Sequence, residues 1–292
     1  MELSIVIVSY NTKEMLRNCL RSLPAATEGL SIETFVVDNA SPDGSAEMVR
    51  LEFPEVHLIA NTENAGFTRG NNQALKLCTG QYIVLLNPDT EAEPGSLTLL
   101  ARYLEAHPEV GAVGPKLLNT DGSNQPNGRR FPTPWIEFLG HSGLAKWNMR
   151  GYNLRYQYQR EDFDIEWETD QVTGACLMLP RAVLEKVGVL EEAFYMYYEE
   201  TELCWRIKQA GWKVMYVPQS RVVHHWMGSA RQRSKAMTRQ LYKSAIIYYR
   251  KTAGFPQQLT MRGVVAIGWL RNEWLYFGVA IKRVLRSVGL IR

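Results

Sequence analysis

The sequence predicts an α/β fold, a mostly parallel sheet with helices on both faces, followed by a helical region at the C-terminal end. Three observations carry that prediction. Short apolar, β-branched runs alternate with helical periodicity through the first ninety residues. Each run stops at a cluster of Asn, Asp, Ser and Gly, as strands of a doubly covered sheet do. The charge also changes sign near residue 220, which separates a body from a tail.

In chain order, Leu3–Ser9 is a buried strand ending at Tyr10-Asn11-Thr12. A helical pattern through Met15, Cys19, Leu20 and Leu23 follows, and Pro24 closes it. Thr34–Asp38, Val56–Ala60 and Gln81–Leu86 read as further strands, with helices at Ser45–Leu51 and Asn71–Leu77 between them. Between Asn119 and Asp170 the periodicity fades into a stretch rich in arginine and aromatics: Arg129, Arg130, Phe131, Trp135, Phe138, Trp147, Tyr152, Tyr156 and Tyr158. That is too long for a passive connection and reads as a functional flap or insertion. Strand character returns at Gln171–Leu179. A helix spans about Glu200–Ala210, ended by Gly211, and Lys213–Val217 and Val222–His224 read as strands. The division is residues 1–230 as one α/β domain and 231–292 as a basic amphipathic helical region.

With 46% hydrophobic and 22% charged residues, the 292-residue chain can build a core, which excludes wholesale disorder. The net charge of +3 hides an asymmetry. Residues 221–292 hold 14 of the 33 Lys+Arg and one of the 30 Asp+Glu, a net +13 against −10 for residues 1–220. A basic tail fits an anionic partner, a membrane surface or nucleic acid. Its interleaved Trp and Phe suit a lipid interface, and it lacks a nucleic-acid module, so no nucleic-acid partner is expected. Gly263–Ile281 is broken by Arg271, Asn272 and Glu273 and reads as lying on a membrane, not crossing it. Trp274, Phe277, Ile281, Leu285 and Val288 recur at steps of three and four on one helical face, with Lys282, Arg283 and Arg286 on another. The opposing reading is a helix docked on the domain itself. The four cysteines are scattered, which argues against a zinc site or disulfides and fits a reducing compartment, and the N-terminus lacks the basic segment of a signal peptide.

Ligands of such sheets sit beyond the carboxyl ends of the strands, which here are Ser9-Tyr-Asn11, Asp38-Asn39, Asn61–Gly66 and Asn87-Pro-Asp89. Asp89 can hold Mg²⁺ or Mn²⁺ against a diphosphate, since hard oxygen ligands suit those ions; an Asn-Pro-Asp turn is the plain alternative. Asp38 can accept a hydrogen bond from a base N–H or a ribose hydroxyl, or simply start a turn. Gly66 and Gly70 allow close backbone approach, and Arg69 brings a charge suited to phosphate. No G-x-G-x-x-G or Walker motif is present, which argues against a dehydrogenase or P-loop enzyme. Glu199, Glu200 and Glu202 crowd one helical turn beside Phe194, Tyr195, Tyr197 and Tyr198, more acid than dipole compensation requires. A carboxylate there can serve as a general base. His224 would reach the same rim and either ligate a metal or contact a diphosphate.

Taken in order, Ile5-Val-Ile-Val-Ser-Tyr-Asn11, Val37-Asp-Asn-Ala-Ser41, Asn64-Ala-Gly-Phe67, Leu86-Asn-Pro-Asp89, Val172-Thr-Gly-Ala175 and Tyr197-Tyr-Glu-Glu-Thr-Glu-Leu-Cys204 resemble the family 2 glycosyltransferases of GT-A fold. The match runs over roughly residues 3–230 and is similar to their bacterial rhamnosyltransferase-like branch. The resemblance implies a nucleotide-sugar donor, a divalent metal (Mg²⁺ or Mn²⁺), and inversion at the anomeric carbon. It implies a donor pocket of Ser9, Asn11, Asp38 and Asn64, to which the loop reading adds Gly66, Arg69 and Asn72. It makes Asp89 and His224 the metal or diphosphate residues and Glu200 the catalytic base, with Glu199 next. Two departures stand out: Asn87 replaces the first acid of the family's D-x-D, and Glu200 replaces the usual Asp. The expected reaction is transfer of L-rhamnose from dTDP-rhamnose to a cell-surface glycan or polyprenyl-linked acceptor, on the cytoplasmic face of the cell membrane. A UDP-sugar donor such as UDP-galactofuranose, or an inactive nucleotide-sugar-binding protein, is the alternative.

Overall fold

The structure is a computed structural model, which describes residues 1–147, 163–225 and 235–287. The expected strands and helices of the N-terminal half are present as β1 (Leu3–Ser9), α1 (Lys13–Ala26), β2 (Ile32–Asp38), α2 (Ser45–Glu52), β3 (His57–Ala60), α3 (Phe67–Leu75) and β4 (Tyr82–Leu86). Next come β5 (Thr90–Ala92), α4 (Ser96–Ala106), β6 (Val110–Leu118), β7 (Asn124–Gln125) and α5 (Pro134–Ser142). After the 3₁₀ turn Leu144–Trp147 follow β8 (Trp167–Thr169), β9 (Cys176–Pro180), α6 (Arg181–Val187), α7 (Glu199–Gln209), β10 (Lys213–His224), α8 (Lys235–Thr252) and α9 (Phe255–Ser287).

The sheet has the spatial order β3-β2-β1-β4-β9-β6-β10-β5, with β7 on β6 and β8 on β10. β1 to β4 are parallel, as is the β6–β10 pair, whereas β9 runs antiparallel to both β4 and β6. The sheet is therefore mixed, not purely parallel. The alternation of β1 sends Leu3, Ile5 and Ile7 into a core with α1, α2 and α4. It sends Val6 and Val8 to the opposite face, against α3, α6 and α7.

Several expectations shift. Pro24 does not close α1, which continues to Ala26. Proline in the last turn removes a single bond, and Thr27 caps the Leu23 carbonyl with both its N–H and its hydroxyl. α3 opens at Phe67, since Gly66 takes φ +85° just before it. The two expected strands at 213–217 and 222–224 are one strand with a register shift between Val217 and Arg221, where Pro218 interrupts the ladder. Of the 119–170 stretch, α5, β7 and β8 carry regular structure, while Tyr152, Tyr156 and Tyr158 lie outside the described residues.

α8 and α9 pack on the body. Tyr248, Tyr249, Ala245, Met261 and Val264 bury against Phe194 and Tyr198. The face of α9 carrying Gly268 and Arg271 meets α5 at His141 and Gly143. The docked-helix reading thus holds for the first half of α9; the side chains of Phe277, Ile281 and Leu285 are not described, and Val288 lies outside the described residues.

Candidate active site

The sheet gathers the expected residues at its carboxyl edge. Ser9 and Asp38 are register partners at the ends of β1 and β2, both buried. Ser9 Oγ pairs with Thr12 Oγ1 at 2.9 Å. Asp38 accepts the Ser41 N–H on Oδ2 at 3.0 Å, and its buried Oδ1 has no partner. Asn11 donates its N–H to Ser41 Oγ at 2.9 Å and holds φ +57°, a left-handed conformation Asn tolerates. The Asn39 amide donates to the Gly66 carbonyl at 3.1 Å, which ties this group to the Asn64–Gly66 loop. There Asn64 Oδ1 accepts from Gly66 N–H and from the Tyr195 hydroxyl, each at 3.0 Å. A Cβ on Gly66 would stand 2.5 Å from the Tyr195 ring, so only glycine fits.

Two expected donor residues face elsewhere. Arg69 is exposed, with Glu192 at 3.8 Å. Asn72 is buried and donates to the Leu190 carbonyl at 2.8 Å and to Glu192 at 3.3 Å. Both engage the segment leading to α7 instead of the Asp38 group.

Asp89 and His224 meet through strand pairing. Thr90 opposes His224 in the antiparallel β5–β10 ladder, and His225 N–H donates to the Asp89 carbonyl at 2.8 Å. That register brings His224 Nε2 to 3.3 Å from Asp89 Oδ1. His224 Nδ1 sits 2.6 Å from Gln125 Oε1. Among the described residues no cluster of three or more His, Cys, Asp or Glu could hold a metal. A carboxylate oxygen and an imidazole nitrogen, both nearly buried and converging, still fit a divalent ion that takes its remaining ligands from a diphosphate and water.

The three glutamates of α7 separate cleanly. Glu202 is buried and clamped by Arg206, whose guanidinium also reaches the carbonyls of Gly188 and Val189 at 2.9 Å each. It has a structural task. Glu199 and Glu200 each leave a buried Oε2 without a partner. Burial, reinforced by the Glu200 charge, pushes the Glu199 carboxyl well above the usual range. Burial also raises Glu200, but its own amide, the Arg129 charge and the amides of Gly174 and Thr201 oppose the rise. Glu200 is thus raised less than Glu199. Glu200 lies over Gly174, where an added Cβ would be 3.8 Å from its side chain. The next residue, Ala175, accepts the Asn87 N–H at 3.0 Å. The base candidate and the Asn87-Pro-Asp89 loop are thus joined through one strand edge.

Tyr197 and Tyr198, at φ +72° and +68°, turn the chain sharply into α7. Tyr198 is held by donating its hydroxyl to Glu137 Oε1 at 2.6 Å, while His141 Nε2 lies 2.9 Å from Glu137 Oε2. Ser244 of α8 donates to the Met196 carbonyl at 2.7 Å. Gln125, Tyr195 and Glu137 are site-forming residues that the sequence reading missed or took only as aromatic wall.

A mixed sheet with acids and polar pocket residues at its carboxyl edge places a ligand beyond the strand ends, as in α/β enzymes. Residues 4–188 match the model of Glycosyl transferase family 2, and the chain belongs to that family. It is 28% identical over 281 residues, 91% of each chain, to N-acetylglucosaminyl-diphospho-decaprenol L-rhamnosyltransferase of Mycobacterium tuberculosis. It is 28% identical over 256 residues to O-antigen biosynthesis protein RfbC of Myxococcus xanthus, covering 87% of this chain and 19% of that one. Among solved structures, the mannosyltransferase PcManGT of Pyrobaculum calidifontis, in complex with GDP-Man and Mn²⁺, shares the fold at TM-score 0.58 and 18% identity, covering 99% of this chain and 76% of that one.

Proposed function

We propose that the protein is an inverting rhamnosyltransferase that moves L-rhamnose from dTDP-rhamnose onto a polyprenyl-diphosphate-linked sugar or a related cell-surface glycan. The observation that carries this reading is the approach of His224 to Asp89, with Glu200 placed over Gly174 beside the Ala175 carbonyl that accepts the Asn87 N–H. The donor class is supported by the full-length likeness to the mycobacterial rhamnosyltransferase.

The acceptor hydroxyl oxygen attacks the anomeric carbon as the C–O bond to the diphosphate breaks. The bonding pair leaves on the diphosphate oxygen, and the hydroxyl proton passes to Glu200. One displacement inverts the centre without a covalent enzyme intermediate. Asp38 Oδ1 would accept the base N–H or a ribose hydroxyl, with Ser9, Asn11, Asn64 and Gly66 shaping the pocket around the nucleoside. Arg69, exposed beside Glu192, stands apart from this group. Asp89 and His224 would hold Mg²⁺ or Mn²⁺, which supplies charge neutralisation for the leaving diphosphate when bound. Donor turnover with dTDP-rhamnose against UDP-galactofuranose and other UDP-sugars, with and without Mn²⁺, tests the reading; turnover only with a UDP-sugar overturns the rhamnose assignment.

We also place the protein on the cytoplasmic face of an anionic membrane. No helix among the described residues is long and apolar enough to cross one. α9, about 50 Å long at 1.5 Å per residue, exposes Leu259, Ile267, Leu270 and Trp274, while Met261 and Val264 are buried. Trp135, Leu144 and Trp147 are exposed on and beside α5, which packs against α9. Beside them, a groove between α8 and α9 carries Arg239 and Lys243 over Ile246, Val265 and Trp269. Aromatics with cations and almost no acid suit anionic lipid.

A further inference from the structure

We infer that Gln171 is a positioning residue: its side chain straps the first turn of α7, at Thr201, to the 129–130 segment, and so fixes where Glu200 stands over Gly174. The inference deepens the reading of Glu200 as the catalytic base and rests on it.

α7 opens without an ordinary cap. Its N-cap, Tyr198, sits at φ +68° and makes no side-chain bond to the first-turn amides. A threonine inside a helix commonly donates its hydroxyl back to the carbonyl one turn earlier. Thr201 instead donates to Gln171 Oε1 at 2.5 Å, and both residues are buried. The far end of the amide settles the direction of that bond. Gln171 Nε2 lies 2.9 Å from the Arg130 carbonyl, which only accepts, so the nitrogen faces Arg130 and the oxygen faces Thr201. The two ends of one buried side chain thus bridge the helix and the segment before α5.

The segment that carries Gln171 is itself firmly held. Arg129 and Gln171 exchange both backbone bonds, at 2.9 and 3.1 Å. Asn127, fully buried, accepts the Thr173 N–H at 2.9 Å and donates to the Pro115 carbonyl of β6 at 2.8 Å. Val172 packs in the same core as Leu203 and Cys204 of α7. The run 171–175 is therefore a rail fixed to β6 at one end and to Asn87 at the other. Glu200 directly precedes Thr201 and lies over Gly174 of the same rail. A bond one residue from the carboxylate restrains rotation and sliding of the turn, and proton transfer needs that carboxylate within hydrogen-bond reach of the acceptor hydroxyl. The strap also keeps Arg129, whose charge favours ionised Glu200, at a set separation from it.

The test uses the full chain. Thr201→Val keeps the shape and removes the hydroxyl, Thr201→Ser keeps the hydroxyl, and Gln171→Met keeps the length without the amide. Thermal melts check folding. Amide hydrogen exchange at the Glu202 N–H, which bonds to the Tyr198 carbonyl at 2.8 Å, reports the strap without reference to activity. Steady-state transfer from dTDP-rhamnose, in wild-type and Glu200→Gln backgrounds, reports the consequence. Thr201→Val and Gln171→Met should speed exchange at Glu202. They should also lower kcat by about 10–100-fold with donor KM unchanged, the scale of a small misplacement of a catalytic group. Thr201→Ser should match wild type in both readouts. In the Glu200→Gln background the same changes should cost nothing further, because the strap acts through Glu200. Wild-type exchange and kcat in folded Thr201→Val and Gln171→Met, or an equal loss of kcat in the Glu200→Gln background, overturns the inference. Normal turnover by Glu200→Gln alone overturns the base reading and this inference with it, whatever the exchange shows of the strap.

Discussion

On the proposed reading, leaving-group stabilisation depends most on the Asp89 side chain. It is buried just before β5, where its carboxylate faces His224 and its carbonyl accepts the His225 N–H, a bond that alanine keeps. Asp89→Ala should therefore fold normally, checked by its thermal melt, and lose at least about 10²-fold in turnover, the scale of one strong electrostatic stabiliser. Full activity in EDTA would remove the metal from the account. The glutamate pair gives a pH signature. Glu200 must be ionised to accept a proton, and burial raises its pKa, so turnover should fall with falling pH already above the ordinary carboxylate range. Glu199 and Arg129 bear on it with opposite signs, and Arg129→Gln should move that acid limb to higher pH. Glu199 is raised on folding, so its contribution to stability is complete below the unfolded value of 4.5 and is lost as pH rises toward the folded value. Glu199→Gln should accordingly gain stability relative to wild type in denaturant melts as pH rises above 4.5.

At the scale of elements, α7 is aimed by a support that lies far along the chain. Two left-handed tyrosines start it, and Tyr198 is tethered to Glu137 of α5 and packed on Tyr248 of α8. Tyr198→Phe strips a 2.6 Å bond from a buried carboxylate, which should cost about 1–3 kcal/mol in chemical denaturation. It should lower kcat more than it changes donor KM. A chain cut near Ser234 would uncover Phe194 and Tyr198, so truncation is a poor probe of the tail. The same tether explains what could be read from the sequence. β1, β2 and β4 are local apolar runs, and their polar ends marked Ser9, Asp38 and Asp89 directly. The helix and strand at 96–118 passed unassigned, although Leu97, Leu100, Ala101 and Leu104 mark a buried face on α4; in β6 two glycines and a proline dilute the strand pattern. Gln125, Tyr195 and Glu137 were illegible because each acts through a partner tens of residues or more away. Arg69 and Asn72 had the right chemistry for phosphate, but the 190–192 segment packed against them.

At the scale of the molecule, an acidic body is joined to a basic helical pair that exposes Leu259, Ile267, Leu270 and Trp274. The wild-type protein should float with anionic vesicles and be released by salt, which screens charge. Leu270→Glu with Trp274→Glu should abolish flotation while leaving turnover on a water-soluble acceptor intact; unchanged flotation would move the membrane face elsewhere. The central claim is displacement at the anomeric carbon with Glu200 as base. Its most direct test is transfer from dTDP-rhamnose with Mn²⁺, reading both the anomeric configuration of the product and the rate of Glu200→Gln. The product should be inverted relative to the donor, and Glu200→Gln should lose about 10²–10⁴-fold in turnover with donor affinity unchanged. A retained configuration, or a Glu200→Gln that turns over normally while Glu199→Gln is dead, would contradict it.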